Sequence, residues 1–175
     1  RSSARSTAAR VAAAGIAREF LADLGVEVFS YVNRIGEAEF REESPFVNCA
    51  NYTPLDIETS EVRCPNAQAT RAMIAEIERA KAERDTIGGT FRVVATGLVP
   101  GLGGYATADD RLTARLGQAL FSIQAMKGVE FGMGFEVARR LGSEVHDPIV
   151  LADGEFRRTS NNAGGLEGGM TTGMP

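Results

Sequence analysis

Residues 3–24, SARSTAARVAAAGIAREFLADL, are an almost unbroken run of helix formers, and Gly25 and the alternating Val26-Glu27-Val28-Phe29-Ser30-Tyr31-Val32 follow at once. Alanine gives up no side-chain entropy in a helix, so the run commits the chain to about six helical turns. Ile16, Phe20 and Leu24 recur every fourth residue, on one side, beside a small-residue face suited to close packing. Gly25 supplies a left-handed cap, and the period-two pattern predicts a strand over 26–32. Any fold for this chain must accommodate a long helix that turns directly into a strand.

The rest of the chain is read against that unit. Between Gly36 and Pro65 the pattern dissolves into charged and turn residues punctuated by Pro45, Pro54 and Pro65, so residues 37–65 are expected to be an irregular excursion. Asn66 can cap a second helix reaching Asp85, with Met73, Ile74, Ile77 and Ala80 as its apolar stripe and Gly88-Gly89 closing the segment. A strand is expected over Thr90 to Gly97, then a loop rich in glycine, LVPGLGGYA. Thr107 and Asp110 resemble a capping box opening a third helix through Leu112, Leu116, Leu120 and Ile123, which Lys127-Gly128 ends. A short strand at 129–131 and a short helix at 135–141 follow. Residues 154–175 are read as a glycine-rich ligand loop. Short strands and imperfectly interleaved helices favour α+β architecture, antiparallel sheet packed on helices, over a doubly wound parallel sheet.

At 175 residues the chain suits a single domain, 1–175. A hydrophobic share of 43% with 24% charged residues belongs to a globular protein, and no apolar run is long enough to span a membrane. A net charge of -4 argues against a general nucleic-acid binder, which needs a basic surface. Cys49 and Cys64 have no second Cys or His pair nearby, so metal-ligand spacing is absent and free thiols are expected. The sequence opens on Arg1 and stops after Gly173-Met174-Pro175, and it is expected to be the middle of a longer, cytoplasmic enzyme.

Three places carry ligand-like chemistry. Arg1 and Arg5 are four apart with Ser2 and Ser3 between them at a helix start, where free N–H groups, the helix dipole, two hydroxyls and two guanidinium forks can converge on one anion. An ordinary serine cap with solvated arginines reads the same residues equally well. Gln124-Ala125 sits where a helix ends, and there unpaired carbonyls beside a side-chain amide suit the donor and acceptor edge of a heterocycle; an ordinary C-terminus is the alternative. The tract Asn161-Asn162-Ala163-Gly164-Gly165-Leu166-Glu167-Gly168-Gly169 lets backbone approach a flat ligand closely, or is a surface loop. It matches neither a Walker A nor a dinucleotide fingerprint. The single histidine, His146, sits beside Glu144 and Asp147, a setting that is more often structural than catalytic.

The segments RSSARSTAARVAAAGIAREFL, TFRVVATGLVPGLGGYATADDRLTARLGQALFSIQAMKGVEFGMGFE, GSEVHDPI and SNNAGGLEGGMTTGMP together resemble the chorismate synthase family in order and spacing, over nearly the whole chain apart from 36–65. The resemblance implies helices sandwiched between antiparallel sheets and a homotetramer. It implies a shikimate-pathway lyase that converts 5-enolpyruvylshikimate 3-phosphate to chorismate by 1,4-anti elimination of phosphate. The implied cofactor is reduced FMN, with NADP as an associated nucleotide. Matched residue by residue, Arg1, Ser2, Ser3, Gln124, Ala125 and Gly168 are expected to bind the flavin, and Arg5 to lie near the substrate and flavin phosphates. Ser6 departs from the Glu common at that place in the family. The family's two functional histidines are expected upstream of Arg1, so no catalytic residue and no metal ligand is assigned here, and this chain alone is expected not to turn over substrate. The reading from another class is a non-catalytic binding or assembly module.

Overall fold

A helix must stop where its last carbonyls can find partners, and here the glycine after the alanine-rich run provides the stop. The computed structural model describes residues 2–41 and 54–175, with side chains described from Ser3 and from Leu55 onward in these two stretches. Arg1, Cys49 and Pro45 lie outside the described residues, as do the side chain of Ser2 and much of the excursion expected at 37–65. Helix α1 spans Ser2–Asp23. Gly25, at φ +77°, donates to Ala22 O at 2.9 Å while Val26 donates to Leu21 O at 2.9 Å, the paired bonds of a Schellman cap. The apolar residues Val11, Ile16 and Phe20 of α1 are all exposed.

The chain divides into two compact units, one of Val28–Val94 and one of Arg1–Glu27 with Ala95–Pro175. In the first, β1 (Glu27–Ile35) pairs antiparallel with β2 (Ala38–Glu39), with Arg34 opposite Glu39 and Ile35 opposite Ala38. Helices α2 (Pro54–Glu58) and α3 (Ala67–Glu83) follow, then β3 (Gly89–Thr96), giving a sheet in the order β2-β1-β3. Gly36 donates to Gly88 O at 3.0 Å just past one end of β1, so β3 returns antiparallel to it. Asn66 caps α3 as expected, its side chain accepting from Ala69 N at 2.9 Å. The helix stops at Glu83, before the glycines, because Arg84 takes the left-handed conformation at φ 56°. Two small apolar clusters form the core: Tyr31, Ile57 and Val94 in one, Cys64, Ala69 and Met73 in the other, with Phe40 against both.

In the second unit α4 covers Leu112–Phe121, shorter at both ends than expected. Thr107 and Asp110 do bond as a capping box would, Asp110 N to Thr107 Oγ1 at 3.2 Å, but they close a separate turn. Arg111 is extended, and the first helical N–H, of Leu112, is met instead by Gly169 O at 2.8 Å. The strand expected at 129–131 does not form. Glycines flank it, Gly132 at φ +57°, and Met133 N donates to Asn162 O at 2.8 Å just beyond it. A 3-10 turn (Gly134–Arg139) and the one-turn helix α5 (Gly142–Val145) replace the short helix expected at 135–141.

The segment from Gly154 onward is not loop throughout. Strands β4 (Ile149–Ala152) and β5 (Glu155–Arg158) form an antiparallel hairpin, and β6 (Leu166–Glu167) pairs with β7 (Met170–Thr171). Asp153 and Gly154 both have positive φ, as a two-residue turn of the primed class requires. The architecture is α+β. No helix among the described residues is long and apolar enough to cross a membrane.

Candidate functional site

Ser3, Thr7 and Arg10 follow one another at i, i+4 and i+7, so the start of α1 carries a polar stripe along one face. The stretch after α4 meets that stripe. Thr7 Oγ1 donates to Gln124 Oε1 at 3.4 Å, and Arg10 Nη1 donates to the Ser122 carbonyl at 2.9 Å and to its hydroxyl at 3.2 Å. The Ser122 hydroxyl in turn donates to Ala119 O at 2.7 Å, so the end of α4 is locked to its own last turn and to α1 together. Ala125 follows in the left-handed region, φ 68°, a conformation that costs an alanine on the order of 1 kcal/mol. The chain therefore turns sharply at the residue expected to touch a ligand.

Two of the three expected contact segments are thus neighbours. Ser3 and Arg5 are exposed at the start of α1, beyond Thr7, and Gln124 and Ala125 are exposed beside it. Thr7 and Arg10, which join them, were absent from the residues singled out in the sequence; the i, i+4, i+7 spacing from Ser3 is the signal that finds them. The carbonyl expected to be unpaired at the helix end is, at Ser122, already taken by Arg10.

Gly168 belongs to a different neighbourhood. Its neighbour Gly169 contacts the first residue of α4, and the ten-residue helix separates that end from Ser122 by about 15 Å. Gly168 has φ +59°, and a Cβ added there would meet nothing within 4 Å, so its backbone faces open space. Gly169 is the reverse: it is buried, and a Cβ there would come within 2.6 Å of Gly104 O. One glycine of the pair is needed for packing, which leaves the other presented.

The glycine tract is held by buried polar side chains. Asp147, 6% exposed, accepts from Asn162 N at 2.7 Å, from Ala163 N at 2.9 Å and from the Ser160 hydroxyl. Burial by itself would raise the Asp147 carboxyl; the bonds from Ser160, Ala163 and Asn162 and the charge of Arg158 outweigh it and hold the group below its ordinary value. Asn161 accepts from Gly165 N at 2.9 Å and donates to Pro175 O at 2.8 Å. The buried Thr171 hydroxyl donates to Val99 O at 2.6 Å and accepts from Leu102 N at 2.8 Å, tying the tract to the 97–104 loop. His146 is exposed, next to Asp147 in sequence but outside this network. Among the described residues no group of three His, Cys, Asp or Glu side chains is placed to hold a metal ion.

The chemistry such an arrangement offers is anion and ring binding. The start of a long helix with an exposed serine and arginine suits a phosphate, and an amide side chain beside a sharp backbone turn suits the polar edge of a flat heterocycle. These donors and acceptors fit a phosphorylated flavin.

The family model described as chorismate synthase matches residues 1–175. Curated relatives include the chorismate synthases of Corynebacterium diphtheriae, 55% identical over 99% of this chain and 42% of that protein, and of Rubrobacter xylanophilus, 51% identical over 100% of this chain and 44% of that protein. A crystal structure of chorismate synthase superposes with a TM-score of 0.92 at 42% identity, covering 99% of this chain and 54% of that one. The chain therefore spans less than half the length of these curated relatives.

Proposed function

Because the chain belongs to the chorismate synthase family, we propose that it forms the flavin-binding core of an enzyme that eliminates phosphate from 5-enolpyruvylshikimate 3-phosphate in a 1,4-anti sense to give chorismate. The observation that carries this reading is the junction of Thr7 and Arg10 with Gln124 and Ser122, which brings two expected flavin-contact segments to one surface. In that reading residues 1–175 are one core segment of a larger cytoplasmic, homotetrameric enzyme, with NADP as an associated nucleotide.

Ser3 and the N–H groups of the first turn of α1 would hold the flavin, with Arg1 and Ser2 beside them and Gln124, Ala125 and Gly168 as further contacts. Arg5 would face the substrate phosphate. When bound, reduced FMN supplies electron density that assists loss of the allylic phosphate without net redox change. The protein's part is to hold that phosphate and the flavin against each other: a guanidinium favours the dianionic leaving group as charge develops on it. The Gln124 amide orients a polar ring edge, and the Arg10 bond to Ser122 keeps the amide where it is. The 175 residues by themselves are expected not to turn over substrate, since the only histidine, His146, is an exposed loop residue outside these contacts.

The test is a titration of FMN fluorescence in the complete protein product, together with phosphate release from the substrate under reducing anaerobic conditions. Arg5→Ala and Gln124→Ala should each weaken FMN or substrate binding by about tenfold, the effect of losing one good polar contact. Unchanged binding in both variants sinks the assignment. Phosphate release by the 175-residue chain alone would overturn the expectation that it is inactive.

A further inference from the structure

Gly168 can present its backbone to a ligand only if the residues on either side of it are fixed, and the residue before it, Glu167, is fixed in an unusual way. Arg158 donates through Nη1 to Glu167 Oε1 at 3.0 Å and through Nη2 to Oε2 at 2.7 Å, a fork-on-carboxylate pair. The Arg158 side chain is 15% exposed, and its Nη1 also reaches the carbonyl of Asp147 at 3.3 Å. Asp147 meanwhile holds the other end of the tract through Ser160, Asn162 and Ala163. One buried acid and one half-buried guanidinium thus connect β5, the Asn161–Gly165 turn and β6. Glu167 opposes Met170 across the β6–β7 turn, and Gly168 lies at that turn with open space beside it.

We infer that Asp147, Arg158 and Glu167 act as a positioning clasp that sets the backbone of Gly168 for ligand binding. The β7 side of the turn is held through the backbone, by Leu112 N on Gly169 O at 2.8 Å and Thr171 N on Leu102 O at 2.9 Å, whereas on the β6 side Glu167 is held through its side chain by Arg158. Without the Arg158 tie, the β6 side of the turn would sample more conformations and a ligand would bind only the competent fraction, which raises the apparent Kd in inverse proportion to that fraction. The bidentate geometry matters more than the charge, because a guanidinium fork fixes both the direction and the rotation of the Glu167 carboxylate, whereas an ammonium fixes neither. The clasp touches no ligand itself; it acts through Gly168. This inference rests on the reading of Gly168 as a flavin contact.

The experiment measures FMN affinity and steady-state kinetics in the complete protein product carrying Arg158→Lys, Arg158→Gln, Glu167→Gln or Gly168→Asn. The clasp predicts that Arg158→Gln and Glu167→Gln raise the Kd for FMN about tenfold while kcat at saturating FMN stays within about twofold, with Arg158→Lys only partly restoring affinity. Gly168→Asn separates the two ideas, because asparagine tolerates the left-handed φ of +59° and puts a side chain into the open space beside the turn. If it weakens FMN binding and the clasp variants do not, the clasp is wrong and the contact stands. If it leaves FMN binding unchanged, the contact reading fails and the clasp falls with it. A loss confined to melting temperature, with FMN affinity unaltered in both Gln variants, also overturns the positioning role. Asp147→Asn is a second variant, read alongside the Gln pair because its buried site makes folding the first thing it can disturb.

Discussion

Arg10 donates to the carbonyl of Ser122 at 2.9 Å, across 112 positions of sequence, and both residues are exposed. A bond on the surface is worth little to stability, about 0.5–1 kcal/mol, because water competes for both partners. Its value is geometric, since it fixes the chain just before Gln124. Arg10→Ala is therefore expected to lower the melting temperature only slightly yet raise the Kd for FMN several-fold. Paired melts and FMN titrations check this, and equal proportional losses in both would show that Arg10 is merely structural.

Asp147 gives the second unit an acid sensitivity. Its folded pKa is depressed below the ordinary 3.8, so its contribution to stability is complete above the unfolded carboxylate range and drains away as pH falls through the folded value. Urea melts from pH 7 to pH 3 should show the difference between the parent and Asp147→Asn constant down to about pH 4 and narrowing below it. A difference that does not change with pH over that range would mean the carboxylate is not what the tract depends on.

Met73 is 0% exposed in the core beside Cys64 and Ala69. Cutting it to alanine removes buried methylene groups and leaves a cavity that a packed helix and sheet fill poorly, so Met73→Ala should cost about 2–5 kcal/mol. Chemical denaturation of the complete protein product measures the loss. A cost below about 1 kcal/mol would show that the site collapses freely.

How much of this was legible in the sequence depends on whether the signal was local. Gly25 after an alanine-rich run and Asn66 before an amphipathic one specify their caps by short-range chemistry, and both form as read. The start of α4 was missed because its first N–H is met by Gly169, 57 residues away, a partner no window around Thr107 contains. The β4–β5 hairpin was missed for a different reason. The Asp153-Gly154 pair is a local turn signal, but the glycine density after it made the whole segment read as loop. Ser3, Arg5 and Gln124 at the candidate site, and Gly168 in its separate neighbourhood, are residue types that the sequence singles out by position. Thr7 and Arg10 share a helix face with Ser3 by their spacing, but their partners Gln124 and Ser122 become visible only when α1 and the end of α4 are side by side.

Cys64 is buried, and burial first of all raises its thiol pKa, with bonds to the Asn66 carbonyl and Thr70 pulling the other way without prevailing. Thiolate is the reactive form, so Cys64 should be slow to label in the native protein and fast once it is unfolded. Peptide mapping after maleimide treatment at pH 7.5, with and without urea, reads the contrast at this position alone. Rapid native labelling of Cys64 would show that the core around Met73 opens readily.

The Thr171 hydroxyl closes onto Val99 and Leu102, residues made 69 to 72 positions earlier. At ribosomal speeds of about 5–20 residues per second, the 97–104 loop waits about 4–14 s after its own synthesis before its hydroxyl partner exists. During that interval the nascent chain displays a glycine-rich loop with unanswered amides and carbonyls. The order of synthesis thus makes the second unit the later-maturing of the two, and places its vulnerability to chaperone capture or proteolysis in the seconds before Thr171 emerges.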